Sequence, residues 1–202
     1  MNKKNRGFSL IELIVVIAIM GLLISVLAPV YTRYIAKSQK AMDVETAKSI
    51  YDTVTLALND SDAYEGWLEN DRLSAGRATV KDPDGKSYEI RPVAWCRGVQ
   101  YKNYENSYFK VAHDNSKLQK AFVNELLFYL SQEDAMTGKG YHGNTDYMLN
   151  FNYNKDSGNG VPECWIIYRR MDNNKAEIWI GRKKGAVAPK YRLYPNTCDE
   201  YS

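Results

Sequence analysis

The chain begins with a short polar segment, followed by an apolar run that carries one acid at its start. Residues 13–31 contain no charged side chain, and Glu12 stands immediately before them. A helix of that length, at ~1.5 Å per residue, spans about 28 Å, which is close to the hydrocarbon core of a bilayer. A carboxylate beside such a segment is costly unless it has a partner, so Glu12 is the first candidate functional residue.

Beyond Pro29 the apolar positions recur at helical spacing and polar residues fill the other faces. The apolar stripe consists of Tyr31, Tyr34, Ile35, Ala41, Met42, Ala47, Ile50, Tyr51, Val54 and Leu58. The pattern predicts one helix over residues 9–58, which ends at the polar run 59–62. Pro29 removes one backbone hydrogen bond and predicts a bend near Leu27, and Gly21 loosens the same stretch. The second half of this helix is predicted to pack on a globular head.

The remainder of the chain predicts an α+β head. Its predicted elements are strands over 87–91 and 108–112, a helix over 117–131, and an antiparallel meander over 146–153, 163–170, 176–181 and 190–194. Turn residues at 82–85 precede the first strand, and residues 172–174 form the tightest hairpin. Residues 62–80 give a mixed pattern, in which Trp67 and Leu68 belong to a short helix or a loop. The fold class is therefore α+β, with a long N-terminal helix packed on a C-terminal antiparallel sheet.

Charge adds one piece of information about orientation. The net charge is +3, and Lys3, Lys4 and Arg6 all precede Gly7. Beyond that leader the basic and acidic residues balance, so the net charge gives no indication of a nucleic-acid partner. A basic leader before an apolar helix favours retention of this end in the cytoplasm. A removable secretory signal has a shorter apolar core and an Ala-x-Ala-like site after it, so we expect this segment to be retained.

Residues 7–13, Gly-Phe-Ser-Leu-Ile-Glu-Leu, after a short basic leader resemble the class III signal of type IV pilins and their relatives. Those relatives include the pseudopilins of type II secretion and the competence pilins. The resemblance implies that a prepilin peptidase cuts between Gly7 and Phe8 and methylates the new Phe8 amine. It also implies that Glu12 pairs with the Phe8 amine of a neighbouring subunit. Gly21 and Pro29 stand where many family members carry a helix-loosening glycine and a kinking proline.

The resemblance implies three segments in the chain. These are a leader over 1–7, a membrane-spanning and filament-core helix over 8–30, and an amphipathic half-helix with an α+β pilin head over 31–202. The implied function is that of a structural subunit of a type IV pilus or related filament, used in adhesion, motility, DNA uptake or secretion. The subunit passes once through the cytoplasmic membrane before assembly and becomes extracellular afterwards. Its implied partners are further copies or other pilins, the prepilin peptidase and an inner-membrane assembly platform.

Two other interpretations of the N-terminal segment stay open. One is a pseudopilin of type II secretion or competence, which shares the same first thirty residues. The other is an uncleaved signal-anchor whose Glu12 lies at the headgroup level without a role. The second leaves the spacing of Gly7, Phe8 and Glu12 to chance, so the filament interpretation is favoured.

The cysteines Cys96, Cys164 and Cys198 allow one disulfide at most and leave one thiol over. Three reduced thiols are an equally good interpretation. Type IV pilins and their relatives often hold their C-terminal loop in place with a disulfide, and Cys198 lies near the C-terminus. No C-x-x-C spacing supports a zinc site. The pairing is left open.

A calcium loop is a weaker candidate. Asn152, Asn154, Asp156 and Glu163 follow the spacing of the D-x-[DN]-x-[DN]-G-x5-E loop in part. Asparagine replaces the first acid and the glycine comes one residue late, so an Asn/Gly-rich turn is the favoured interpretation. No metal and no cofactor is predicted.

Basic and aromatic residues near the C-terminus suggest a surface patch for DNA, teichoic acid or polysaccharide. The set is Tyr168, Arg169, Arg170, Trp179, Arg182, Lys183, Lys184, Lys190, Tyr191, Arg192 and Tyr194. The alternative is a group of separate solvated strand faces balanced by nearby acids.

Catalysis has little support in the sequence. His113 and His142 lie in no metal-binding or nucleophile motif, and no P-loop, G-x-S-x-G or H-E-x-x-H pattern occurs. The chain is predicted not to be an enzyme.

Overall fold

The structure is a computed structural model that describes residues 9–69, 76–97, 109–112, 117–131, 164–184 and 186–201. The chain divides into two compact units, Met1–Gln39 and Lys40–Ser202. The described part of the first unit is almost entirely helix. The second unit contains the sheet and the buried core.

Helix α1 is one continuous element over Leu10–Ala57, which confirms the predicted long N-terminal helix to within a residue at each end. Pro29 lies inside it without ending it. In the second unit, α1 buries one face through Ala47, Ile50 and Val54, each at most 1% exposed. These positions recur every three to four residues, as expected for a helix that packs one stripe on a core.

Helix α2, Ser61–Leu68, begins shortly after α1 has ended. The Asp60 side chain accepts a hydrogen bond from the Ala63 backbone N–H at 2.9 Å and caps α2. The polar run 59–62 therefore both ends one helix and starts the next, because Asp is among the preferred N-cap residues. Trp67 of α2 is fully buried and donates from Nε1 to the Asn174 carbonyl at 3.0 Å.

The strands of the second unit form one antiparallel sheet. They are β1 Ala78–Lys81, β2 Ser87–Arg97, β3 Lys110–Val111, β4 Cys164–Arg170, β5 Ala176–Lys184 and β6 Ala186–Tyr194. The order in the sheet is β1-β2-β4-β5-β6, and β3 also pairs with β2. Helix α3, Lys117–Ser131, separates β3 from β4 along the chain, and a short 3-10 helix, Asp199–Tyr201, follows β6. The α+β class and the antiparallel sheet are confirmed.

Both faces of the sheet are buried. One face packs against α1, Trp67 of α2 and Phe122 of α3, and it includes Trp165 and Ile167. A second cluster on the opposite face consists of Tyr88, Ile90, Trp95, Cys164, Ile166, Tyr168 and Trp179. Central strand β4 supplies residues to both clusters, which accounts for its nearly continuous apolar sequence.

The strand predictions needed correction. Strand β3 covers Lys110–Val111 rather than 108–112, and β5 continues to Lys184 rather than ending at 181. β2 continues past Pro92 to Arg97, because a register shift between Pro92 and Ala94 lets the ladder resume. β1 was not predicted as a strand, and its hairpin with β2 uses the predicted turn at 82–85, in which Gly85 has a φ of 81°. β6 begins at Ala186 rather than at 190, since Pro189 is tolerated on an edge strand. The strand predicted over 146–153 lies outside the described residues.

Gly181 is expected to be the least replaceable glycine of the described sheet. A Cβ at this position would overlap the Ala188 carbonyl oxygen and would lie 2.9 Å from Ile166 Cδ1. Backbone of the neighbouring strand cannot move aside cheaply, so Gly181→Ala should lower the free energy of unfolding by about 1–3 kcal/mol or more. Thermal unfolding of the full chain in detergent, followed by tryptophan fluorescence, measures the loss.

Gly85→Asn is the matched control for that substitution. A Cβ at Gly85 would have no neighbour within 4 Å, and asparagine tolerates the positive φ there better than other residues. The unfolding midpoint of this variant should stay close to that of the native chain. Equal midpoints for Gly181→Ala and the native chain would contradict the close approach of β5 and β6.

Candidate assembly site on the N-terminal helix

The first turn of α1 holds Glu12 in a defined position. The Ser9 backbone N–H donates to Glu12 Oε2 at 2.9 Å, and α1 begins at Leu10. Glu12 is therefore the third helical residue and accepts from the residue before the helix, which is the carboxylate half of a capping box. A carboxylate in this place is also favoured by the partial positive charge of the helix N-terminus. Gly7 and Phe8, the predicted cleavage and methylation positions, lie outside the described residues.

This contact leaves half of the Glu12 carboxylate available. Oε2 accepts from Ser9, while Oε1 has no hydrogen-bond or ion-pair partner among the residues that the structure describes. One carboxylate can accept several hydrogen bonds, so a cation can approach Glu12 while the cap is retained. Glu12 was identified from the sequence but Ser9 was missed, although the Ser-x-x-Glu spacing is a known helix-start signal.

Almost every large apolar side chain of α1 in the first unit is exposed. Leu10 is 76% exposed, Leu22 is 70% exposed, and the series continues to Tyr34 at 73%. Covering one such side chain contributes roughly 1.5–3 kcal/mol. The helix is also long and apolar enough to cross a membrane, judged by length and composition alone. This exposed part of α1 is therefore favourable only where lipid or other apolar helices cover it.

The predicted helix-loosening positions lie within this exposed part of α1. Pro29 has no N–H to donate to the Ser25 carbonyl one turn earlier. Gly21 has nothing within 4 Å of the place where a Cβ would lie, so intramolecular packing does not require glycine there. The roles predicted for Gly21 and Pro29 in bending stay predictions.

The cysteines are distributed over both faces of the sheet. Cys96 belongs to the cluster on the α1 side and Cys198 packs against that same cluster, whereas Cys164 belongs to the opposite face. Two strands, β4 and β5, lie between the strand of Cys96 and the strand that precedes Cys198. No disulfide joins any of the three within the described part of the chain.

Burial also governs the chemistry of these thiols. Desolvation raises the pKa of Cys96 well above its ordinary value, which keeps this thiol protonated and unreactive. Cys164 Sγ lies 3.5 Å from the Gly181 carbonyl oxygen, to which it donates. The pairing of the cysteines in the native protein stays open.

The predicted basic and aromatic patch is wrong as a single exposed surface. Successive strand residues point to opposite faces, so Arg169 and Arg170 cannot share one. Arg169 and Arg192 are buried, as are Tyr168 and Trp179. Arg170 is held by Asp172 through two hydrogen bonds of 3.0 and 2.6 Å. The side chains of residues 182–184 lie outside the described ones.

Arg170 and Arg192 lie beside a buried acid that was not identified from the sequence. Glu177 is 1% exposed and accepts from Tyr88 Oη at 2.7 Å and from Trp179 Nε1 at 2.8 Å. Arg170 and Arg192 lie 3.6 and 3.8 Å from its Oε1. Burial raises the pKa of Glu177, whereas its two donors and the two arginines lower it. The cluster joins β2, β4, β5 and β6 and forms a structural network of the head.

The remaining chemical candidates lie outside the described residues or lack a metal-binding geometry. The calcium-loop residues Asn152, Asn154, Asp156 and Glu163 lie outside, and so do the side chains of His113 and His142. Among the described residues, no group of three or more His, Cys, Asp or Glu side chains is placed to hold a metal ion. The N-terminal helix is therefore the candidate site.

Comparison with known proteins agrees with this assignment. The family described as "Prokaryotic N-terminal methylation motif" matches residues 2–28, which include the predicted cleavage position and Glu12. No solved structure gives a significant match to the chain.

Curated relatives extend the similarity beyond that motif. A "Type IV major fimbrial protein FimA" of Dichelobacter nodosus is 32% identical over 93 residues, or 41% of this chain and 60% of the relative. A "Fimbrial protein" of Neisseria meningitidis serogroup B is 39% identical over 104 residues, or 51% of this chain and 54% of the relative. The chain thus spans little more than half the length of these two relatives.

Another Dichelobacter nodosus "Type IV major fimbrial protein FimA" is 39% identical over 111 residues, which cover 45% of this chain and 68% of the relative. That coverage extends the similarity beyond the length of the matched motif. Together with the long helix and the antiparallel sheet, it settles the family. The chain belongs to the type IV pilin family.

Proposed function

We propose that this chain is a structural subunit of a type IV pilus, assembled through its N-terminal helix. The observation that carries the proposal is the exposed apolar part of α1 with Glu12 held at its first turn. Such a helix is unstable in water and is satisfied either in a bilayer or among the helices of other subunits. Relatives named as fimbrial proteins favour a pilus over the pseudopilin alternative.

In this proposal the chain exists in two states. Before assembly, residues 8–30 span the cytoplasmic membrane once, with the leader over 1–7 in the cytoplasm. A prepilin peptidase removes the leader after Gly7 and methylates Phe8, and an inner-membrane platform then adds the subunit to the filament. Residues 31–202 form the amphipathic half-helix and the head, which becomes extracellular.

Glu12 links the two states. Its Oε1 receives the cationic amine of Phe8 from a neighbouring subunit, while Oε2 keeps the Ser9 contact. In an apolar filament core, desolvation offsets much of the Coulomb gain of such a pair, so its role is to fix the register between subunits. An unpaired carboxylate in the same place carries a large penalty, which disfavours wrong registers.

The direct test of the proposal is the composition of surface fibres. Cells that produce this chain are sheared, the released fibres are collected, and the fibre protein is identified by peptide mass spectrometry. The chain should be a component of fibres from producing cells and should be missing from preparations of cells lacking it. Retention of the whole chain in the membrane fraction, with none in the fibres, would contradict the proposal.

A further inference from the structure

The charges beyond the apolar part of α1 are sorted by sign. Residues 30–40 contain Arg33, Lys37 and Lys40 and no acid. Residues 41–69 contain seven acids and one base, Lys48. A random mixture would cancel locally, whereas this arrangement gives one chain a basic segment followed by an acidic one.

Basic residues are unusual at this position relative to the membrane. In the proposed membrane orientation this segment follows the spanning helix on the outer side, where short flanking segments carry few Lys and Arg under the positive-inside rule. Arg33 and Lys37 are exposed and form no ion pair within the described part of the chain. Exposed apolar side chains lie beside them, with Tyr34 at 73%. We call the segment formed by Arg33, Tyr34, Ile35 and Lys37 the basic segment.

The outward face of α1 in the second unit has a matching composition. It lies opposite the buried stripe of Ala47, Ile50 and Val54, and it exposes Glu45 and Asp52. Met42 at 54% and Leu56 at 50% are exposed on the same face. Neither acid forms an ion pair among the residues that the structure describes. Lys48, three residues after Glu45 and four before Asp52, is exposed on this face as well, so the face has a net charge of −1. We call the face formed by Met42, Glu45, Lys48, Asp52 and Leu56 the acidic face.

The distances between the charged residues of the two surfaces are also compatible. Glu45 and Asp52 are seven residues apart, or about 10 Å along the helix axis, and Arg33 and Lys37 are separated by about 6 Å. The long side chains of Arg and Lys bridge such a difference. Both surfaces combine exposed apolar groups with a net charge, because the basic segment carries two cations and the acidic face carries two acids against one lysine. Opposite net charges favour pairing of these two surfaces over pairing of either surface with a copy of itself.

We propose that the acidic face of one subunit binds the basic segment of a second copy of this chain. This inference rests on the proposed function, because it concerns a contact between subunits of the filament. It adds a second register-fixing contact, away from the Glu12 site, between surfaces of opposite charge. The contact involves the part of α1 beyond the membrane-spanning segment.

A charge-reversal series tests this contact in cells that produce fibres. The first variant combines Arg33→Glu with Lys37→Glu, the second combines Glu45→Lys with Asp52→Lys, and the third carries all four changes. Either reversal alone should lower the amount of chain in sheared fibres by about tenfold or more, since two attractions become repulsions at every repeat. The fourfold variant should recover to within about threefold of the native yield.

The matched control reverses two exposed cations elsewhere in the head, Lys86→Glu with Lys175→Glu. This variant should assemble like the native chain. Protease resistance of the precursor in the membrane fraction checks folding for each variant. If a reversal destabilises the precursor, the neutral pair Arg33→Gln with Lys37→Gln replaces it and should show a smaller loss of fibres.

Three outcomes would overturn the contact. A fourfold variant no better than the worse double variant would mean that the surfaces do not meet. Native fibre yield in both double variants would mean that neither surface is used. In the third outcome, the variant Arg33→Glu with Lys37→Glu is lost from the membrane fraction, and the fourfold variant is lost as well. The basic segment would then be assigned to lipid headgroups. Glu12→Ala is measured in parallel. If fibre yield depends on Glu12 but not on these charges, only the contact is rejected. If the native chain is missing from fibres, the proposed function is rejected as well.

Discussion

Glu12→Ala is expected to reduce the amount of this chain in surface fibres by at least about tenfold while leaving it in the membrane. In the filament, the Phe8 amine of a neighbour would lie in an apolar core without its counter-charge, and breaking a buried pair in this way costs roughly 3–5 kcal/mol. Membrane insertion should not suffer, because removing a carboxylate from an apolar helix favours insertion. Quantitative blots of the fibre and membrane fractions measure both effects.

Glu12→Gln separates the charge of this residue from its capping role. Glutamine also occupies the third position of capping boxes, so the Ser9 N–H keeps an acceptor. If the charge fixes the register, Glu12→Gln should be nearly as deficient in fibres as Glu12→Ala. Native fibre yield with Glu12→Gln would show that the helix start, and not the ion pair, is what assembly requires.

Glu177→Ala is expected to cause a large loss of head stability. It removes the acceptor of Tyr88 Oη and Trp179 Nε1 and leaves buried Arg192 without a carboxylate, whereas Arg170 keeps its pair with Asp172. Uncompensated buried charge of this kind costs about 3–5 kcal/mol. At roughly 2–4 °C per kcal/mol for a chain of this size, the unfolding midpoint should fall by about 10 °C. Thermal unfolding in detergent measures it.

Glu89→Ala is the matched control on the same sheet. Glu89 forms an ion pair with Arg91 at 2.6 Å, but its side chain is 37% exposed. The Arg91 side chain is only 11% exposed, but the partly exposed Glu89 carboxylate should cost less to remove than that of Glu177, so this midpoint should change by only a few degrees. Similar midpoints for the two variants would contradict the network around Glu177.

The pH dependence of this network has a defined sign. Burial raises the pKa of Glu177 above its ordinary value of 4.5 in the folded chain. Its contribution to stability is therefore greatest below pH 4.5 and decreases as the pH rises through the folded pKa. Mild acid should not unfold the head through this residue.

The long helices could be predicted from sequence because their periodic patterns extend over many residues. The apolar run and the stripe after it placed α1 to within a residue, and the spacing over 117–131 placed α3. Helix α2 was harder to predict, since Asp60 belongs to a run that is equally typical of a helix stop and a helix start. β2 was predicted too short because Pro92 ends most strands, and only the pairing with β4 reveals that the ladder resumes beyond it.

The site shows the same division between local and tertiary information. Glu12 stands out in the sequence because one charge beside an apolar run is a local anomaly. The burial of Arg169, Arg192 and Glu177 is set by strands that are distant in sequence, so the two arginines were assigned to a surface and the acid was missed. The charge sorting along residues 30–69 is local and readable, but the outward position of Glu45 and Asp52 requires the buried face of α1 to be known.

The central claim is that the chain enters a filament after its leader has been removed at Gly7, with the new Phe8 amine available to Glu12 of a neighbour. The most direct measurement is the intact mass of the subunit in purified fibres, with the N-terminal peptide sequenced by fragmentation. We expect a chain that begins at Phe8 and carries one methyl group on its amine. A fibre subunit that still begins at Met1, or that begins at any residue other than Phe8, would contradict the claim.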